Sequence, residues 1–327
     1  MMNARSRFGR ASGAVIAMAV GLCAGVAMGA APPPVAQVAP AAFATPEDAV
    51  KALKDATAAK DKAALDKIFG TEAKELVNPD AVQRENECAD FNKHLAEMTN
   101  IVRSGDDRAT VYVGKENWPF PIPLVKKDKG WVFDAAAGRE EILARRIGEN
   151  ELNTIDVCRA YVTAQREYHM TDWNHDDILE YAQHLASTQG KRDGLYWDAG
   201  NDEAQSPFGQ LVASAHAEGY PIKEHDPNAS PGERPAPKPF HGYYFRILTK
   251  QGPHAPGGAY DYVANGHMIG GFALIAYPAE WGNSGVMTFI VNQRGKVFQK
   301  NLGAKTVDAA RAIMAYDPDE SWEPVSP

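Results

Sequence analysis

Apolar residues recur at two periods along this chain, and the switches between them mark its elements. Thr45-Pro46-Glu47-Asp48 followed by Val50, Leu53 and Ala56 predicts a helix. Thr45 suits its N-cap, Pro46 its first turn, and the two acids its positive end. Asp61-Lys62 interrupts the pattern, and Ala64, Leu65, Ile68 and Phe69 begin a second short helix. The period then becomes that of strands at residues 109–113 (ATVYV), 120–125 (FPIPLV) and 130–133 (GWVF), with Pro121 and Pro123 confining the second to an edge or bulge. Residues 139–147 (REEILARRI) return to helix. A separate long helix follows, with Leu152, Ile155, Cys158, Val162 and Gln165 on one stripe and Arg159 and Arg166 toward water. A further helix is expected over 176–187 (DDILEYAQHLAS). After a polar loop at 221–239, strands are predicted at 243–249, 272–277, 287–291 and 296–301. Asn292-Gln293-Arg294-Gly295 forms the tight turn between the last two.

The N-terminal pattern is of another kind. Arg5, Arg7 and Arg10 precede an apolar run over 11–26, and Ala27-Met28-Gly29 places small residues where a signal peptidase reads. The run falls short of the roughly 20 strongly apolar residues of a spanning helix. Residues 1–30 therefore read as a cleaved signal segment rather than an anchor, and residues 31–42 as a Pro/Ala linker. A lipid anchor at Cys23 would need a small residue where Leu22 stands. No later segment is apolar enough to span a membrane, so a periplasmic or secreted protein is expected. The remaining length suits two domains, 43–148 and 149–327.

Composition narrows the function. A net charge of −8 argues against nucleic acid as a partner, because phosphate neutralisation needs a basic surface. Cys88 and Cys158 could pair in an oxidising compartment, stabilising by about 4 kcal/mol in the chain-entropy model; equally, they could be two buried thiols. His169 and His175 with Asp172, Asp176 and Asp177 make the densest group of metal-ligand types. Their six-residue gap does not put two imidazoles on one helix face, so no metal is assigned. The GNSG around Ser284 lacks the strand-turn-helix context of a nucleophile elbow, and GPHAPGG lacks the lysine of a phosphate loop. No catalytic set and no cofactor are assigned. The candidate binding residues are Asp193, Tyr196, Trp197, Tyr243, Trp281 and Asn283, aromatic faces flanked by acids and amides that suit sugar or peptide. The alternative is that these rings close the ends of a sheet, each polar tip finding a partner.

The words WPFPIPLVKKDKGWVFDAAAGREEILARRIGENEL, VCRAYVTAQREY, DGLYW, SPFG, ILTKQGPHAPGGAYDYV and GGFALIAYPAEWGNSGVMTFIVN resemble an uncharacterised bacterial exported family, domain-of-unknown-function family 2950. Two helices followed by strands ending in GWVFD resemble the nuclear-transport-factor-2-like cone. That superfamily's isomerase members imply an acid and a tyrosine, for which Asp90, Asp134 and Tyr112 are available by type. Thr163-Ala164-Gln165, Gly242-Tyr243-Tyr244-Phe245 and Trp281-Gly282-Asn283-Ser284-Gly285 are similar to words in the heads of pilin and pseudopilin proteins. A pilin, however, carries its apolar assembly helix immediately before the head, where this chain has a whole domain.

The expectation is an α+β protein: a cone-like helix-plus-curved-sheet domain, then a long helix packed on an antiparallel sheet. It would act by binding or assembly, with another envelope or secretion protein as partner. A small-ligand carrier using the first domain, or an envelope-directed hydrolase using acids such as Asp193 and Asp202, are the alternatives.

Overall fold

A computed structural model describes residues 39–70, 76–200, 204–222 and 238–326. The signal segment, Cys23, most of the Pro/Ala linker, Asp202 and most of the loop expected at 221–239 lie outside the described residues. The chain is α+β and divides into two compact units, one running to Val77 and resuming over Arg84–Glu149, the other made of Asn78–Gln83 and Asn150–Pro327.

The first unit opens with α1 (Pro46–Ala58) and α2 (Lys62–Phe69). Thr45 accepts from the Asp48 N–H at 3.1 Å and Asp61 from the Ala64 N–H at 3.0 Å, so each helix start is satisfied by the side chain before it. Helix α3 (Ala81–Glu97) was not legible, because its buried apolar residues, Phe91 and Leu95, are too sparse to set a period. Strands β1 (Thr99–Arg103), β2 (Arg108–Val113), β3 (Trp118–Pro119), β4 (Leu124–Lys127) and β5 (Gly130–Phe133) form an antiparallel sheet in the order β1-β2-β4-β5, with β3 on β2. The strand expected at 120–125 is thus confined to its end. Phe120 still donates its N–H to the Val111 carbonyl, but residues 121–123 leave the ladder, to which Pro121 and Pro123 have no N–H to give, while Phe120 and Ile122 turn into the core. There Phe120 stacks on Phe91 (5.4 Å) and meets Phe133 edge-on (5.9 Å). Gly130, at φ +125°, is required: a Cβ there would run into the carbonyl of Phe43, whose backbone pairs with Trp131.

Where two helices were expected, one helix of 34 residues runs, α4 (Ala135–Tyr168). An interior glycine costs about 1 kcal/mol relative to alanine, and at Gly148 that does not end the helix. Its buried stripe in the second unit is Ile155, Cys158, Tyr161, Val162, Gln165 and Tyr168; Leu152, expected on it, is 67% exposed.

The second unit continues with β6 (His184–Ala186), β7 (Gly194–Tyr196), α5 (Gly209–Glu218), β8 (Tyr243–Leu248), β9 (Lys250–Gln251), β10 (Tyr260–Asp261), β11 (Val263–Ala264) and β12 (His267–Met268). Then come β13 (Ala273–Pro278), β14 (Met287–Asn292), β15 (Phe298–Asn301), α6 (Thr306–Ala312) and β16 (Glu323–Pro324). The main sheet is antiparallel in the order β16-β15-β14-β13-β8. Gly295, at φ +76°, closes the expected β14–β15 turn on the Asn292 carbonyl at 2.8 Å. On one face α4 is fastened by the Tyr161 hydroxyl donating to the Ala273 carbonyl (3.1 Å) and by Glu151 accepting from the Val286 and Met287 N–H groups. The other face carries α6.

The helix expected over 176–187 does not form. Asp172 takes the N–H groups of His175, Asp176 and Asp177. Gln165 both donates to the Ala182 carbonyl and accepts from its N–H. These bonds hold the segment open until β6, which pairs in parallel with β7. Side-chain competition for the backbone has overridden a helical apolar pattern.

Candidate functional site

The residues singled out from sequence serve different neighbours. Asp193 accepts from the Thr188 N–H at 2.7 Å, tying a turn. Tyr196, on β7, stands edge-on to His216. Trp197 is buried; it donates from Nε1 to the Ala204 carbonyl and packs 4.8 Å from Trp173, with the Arg192 guanidinium over both indoles. Tyr243 is wholly buried, and its hydroxyl donates to the Met287 carbonyl at 2.9 Å. A Cβ on Gly285 would collide with that phenol, so this turn needs glycine. Trp281, 40% exposed, donates to Asn301 at 2.9 Å, and Asn283 donates to Glu280 within the same turn. Trp281 thus offers a ring to solvent, whereas Trp197 and Tyr243 spend theirs on packing.

Cys88 is half-buried in the first unit and Cys158 is buried in the second. Burial pushes the Cys158 thiol up to about 12, far from the range of a reactive thiolate.

A concave feature of the second unit lies on the α6 face of its sheet. β14 alternates, so Ile290 points toward α6, and β15 brings Lys300 to the same side. Helix α6 is short and is held by its C-terminal end. Arg246 of β8 donates to the Ala310 and Ile313 carbonyls at 2.9 and 2.6 Å, the first shared with the Ile313 N–H that caps the helix. Burial holds the Arg246 pKa below its usual value. Between α6 and the strands runs a groove of about 410 Å³, with Ile290, Leu302, Ala309, Ile313 and Trp322 as apolar lining and Lys300, Asp317 and Asp319 as polar rim. Met314, at its edge, is 58% exposed. Lys300 lies over the Trp322 ring, 5.7 Å from its centre, and donates to Ser321. Asp317 binds both the backbone N–H (2.8 Å) and Nδ1 (3.0 Å) of His254. Hydrogen bonds from the side chain and backbone of Ser321 hold Asp319 below the usual carboxylate range. An apolar floor with fixed charges at its rim suits the side chains of a protein segment.

A family model described as Protein of unknown function (DUF2950) matches residues 40–325. The chain belongs to the DUF2950 family. No curated protein and no solved structure matches it. Among the described residues, no helix of this DUF2950 chain is long and apolar enough to cross a membrane.

One further group in this DUF2950 chain has the composition of a cation site: Asp176, Glu180 and His267, whose ligand atoms all lie within 4.8 Å of one another. No local signal in the sequence joins these residues: Glu180 falls in the segment whose pattern predicts a helix that does not form, and His267 arrives from 87 positions downstream of it. The groove was equally hidden. Leu302, Ile313 and Met314 come from segments with no readable period, and tertiary bonds such as those from Arg246 bring them together.

Proposed function

We propose that this DUF2950 protein is exported to the cell envelope and acts there by binding, its C-terminal unit docking another envelope or secretion protein. Export rests on the basic start, apolar run and small residues of positions 1–30. The likeness of the second unit to pilin heads and of the first to nuclear-transport-factor-2-like cones belongs to the same reading and rests on the sequence words that carry it. One observation carries the docking: the groove beside α6, whose apolar lining and exposed Met314 lie next to Lys300 and to Asp319, a carboxylate held below its usual range. Apolar surface rimmed by polar groups is what contact sites present. The acids at the rim favour a partner segment with an apolar side chain beside a cationic one.

The test is native mass spectrometry of the full-length gene product recovered from the periplasm, beside its Met314→Glu variant. The expected result is a protein bound in fixed ratio to the parent and lost from the variant, with thermal unfolding unchanged because Met314 is exposed. A partner retained by the variant removes the groove from the reading. A small-molecule adduct in place of a protein replaces docking with the carrier alternative.

A further inference from the structure

We infer that Asp176, Glu180 and His267 form a binding site for a divalent transition cation, with Zn²⁺ as the best match. This site is independent of the groove and of the docking reading. Its parts are positioned before any ligand arrives. Asp172 organises the 175–177 turn by accepting from three backbone N–H groups. The Tyr181 N–H donates to the Met268 carbonyl at 2.8 Å, and the Gln183 amide donates to the Gly266 carbonyl at 2.6 Å. The acidic loop is therefore tied to the hairpin that carries His267. Asn174 donates to Asp176 Oδ2 at 2.8 Å and to Glu180 Oε1 at 3.2 Å, orienting both carboxylates.

Two observations beyond the grouping point to a ligand. Glu180 Oε2 and His267 Nδ1 are each sealed from solvent, and neither makes a hydrogen bond. Leaving a carboxylate oxygen and an imidazole nitrogen unsatisfied and dry is costly. A cation between them would satisfy both. The spacing also fits: His267 Nδ1 lies 3.3 Å from Glu180 Oε2 and 3.5 Å from Asp176 Oδ2. Tetrahedral zinc with bonds of about 2.0–2.1 Å sets neighbouring ligands roughly 3.3–3.4 Å apart. Calcium and magnesium prefer oxygen ligands throughout, so the imidazole argues for a transition metal. Three protein ligands leave a fourth position for water or another donor.

The test is calorimetric titration of the tag-free, chelator-stripped full chain with Zn²⁺. One equivalent should bind, and at a free concentration about 100 times Kd the second unit's Tm should rise by about 5–10 °C. His267→Ala and Glu180→Gln should each weaken binding by about 100-fold or more, while His254→Ala leaves it unchanged. Should His267→Ala fail to fold, the near-isosteric Glu180→Gln carries the test alone. Absence of stoichiometric Zn²⁺ uptake, uptake undiminished in Glu180→Gln, or binding of Ca²⁺ in preference to Zn²⁺ would each overturn the assignment.

Discussion

The two units solve the problem of a core in different ways. Among the described residues, Thr57 and Arg146 are the buried polar groups of the first unit, and its centre is a run of touching phenylalanines. The second unit buries Gln165, Gln251, Ser284, Asn292 and Asp80, among others. It threads them together: Gln165 bonds Tyr161 and Ala182, Tyr262 donates to Gln251, and Tyr220 donates to Asp80. An apolar core asks chiefly for volume, whereas a buried polar network asks for particular atoms in particular places. The second unit is accordingly where loops are held in shapes that their own residues do not favour, and where both the groove and the cation cluster sit.

The contrast can be tested by substitutions read as urea or thermal unfolding of the unit concerned. The largest effect is expected from Phe133→Ala, which empties a site in contact with both Phe69 and Phe120; it should destabilise the first unit by about 3–5 kcal/mol. Next is Gln165→Met in the second unit, nearly equal in size yet leaving the Ala182 N–H and carbonyl unpaired, with an expected cost of about 2–4 kcal/mol. The same kind of size-matched swap at buried Leu124 of the first unit, Leu124→Met, should cost less than about 1.5 kcal/mol. Equal costs for these last two would break the comparison.

Smaller effects sharpen it. With its thiol held up at about 12 by burial, Cys158 should resist alkylation at pH 8 in the native protein and react once the second unit is unfolded. Peptide mapping after iodoacetamide treatment checks this, and rapid native labelling at Cys158 would contradict its burial. The His254–Asp317 pair gives the smallest change. The hydrogen bond to Asp317, and then its charge, raise the His254 pKa. The pair's stabilisation is therefore full below the unfolded value of about 6.5 and lost as pH rises through the higher folded value. The pair is exposed, so the fall in Tm across that window should be slight, and His254→Ala should flatten it.

Regular elements with strong local signals were legible before any coordinates. The cap of α1, the start of α2, the β13–β14–β15 meander and the Gly295 turn all follow from residues within a few positions of one another. Legibility failed where distant atoms compete for the backbone. Residues 176–187 have an amphipathic pattern, yet Asp172 and Gln165 capture their N–H groups first. In α3 the pattern is too faint, because Phe91 and Leu95 alone are anchored in the core.

By itself, then, the sequence determined the α+β class, the main strands and family membership, because periodicity, turn residues and family words are local properties. Only the tertiary structure decided that Tyr243 and Trp197 are buried, that a groove opens beside α6, and that His267 meets Asp176 and Glu180. Those outcomes depend on which side chains arrive together from far along the chain, and contact of that kind leaves no period to read.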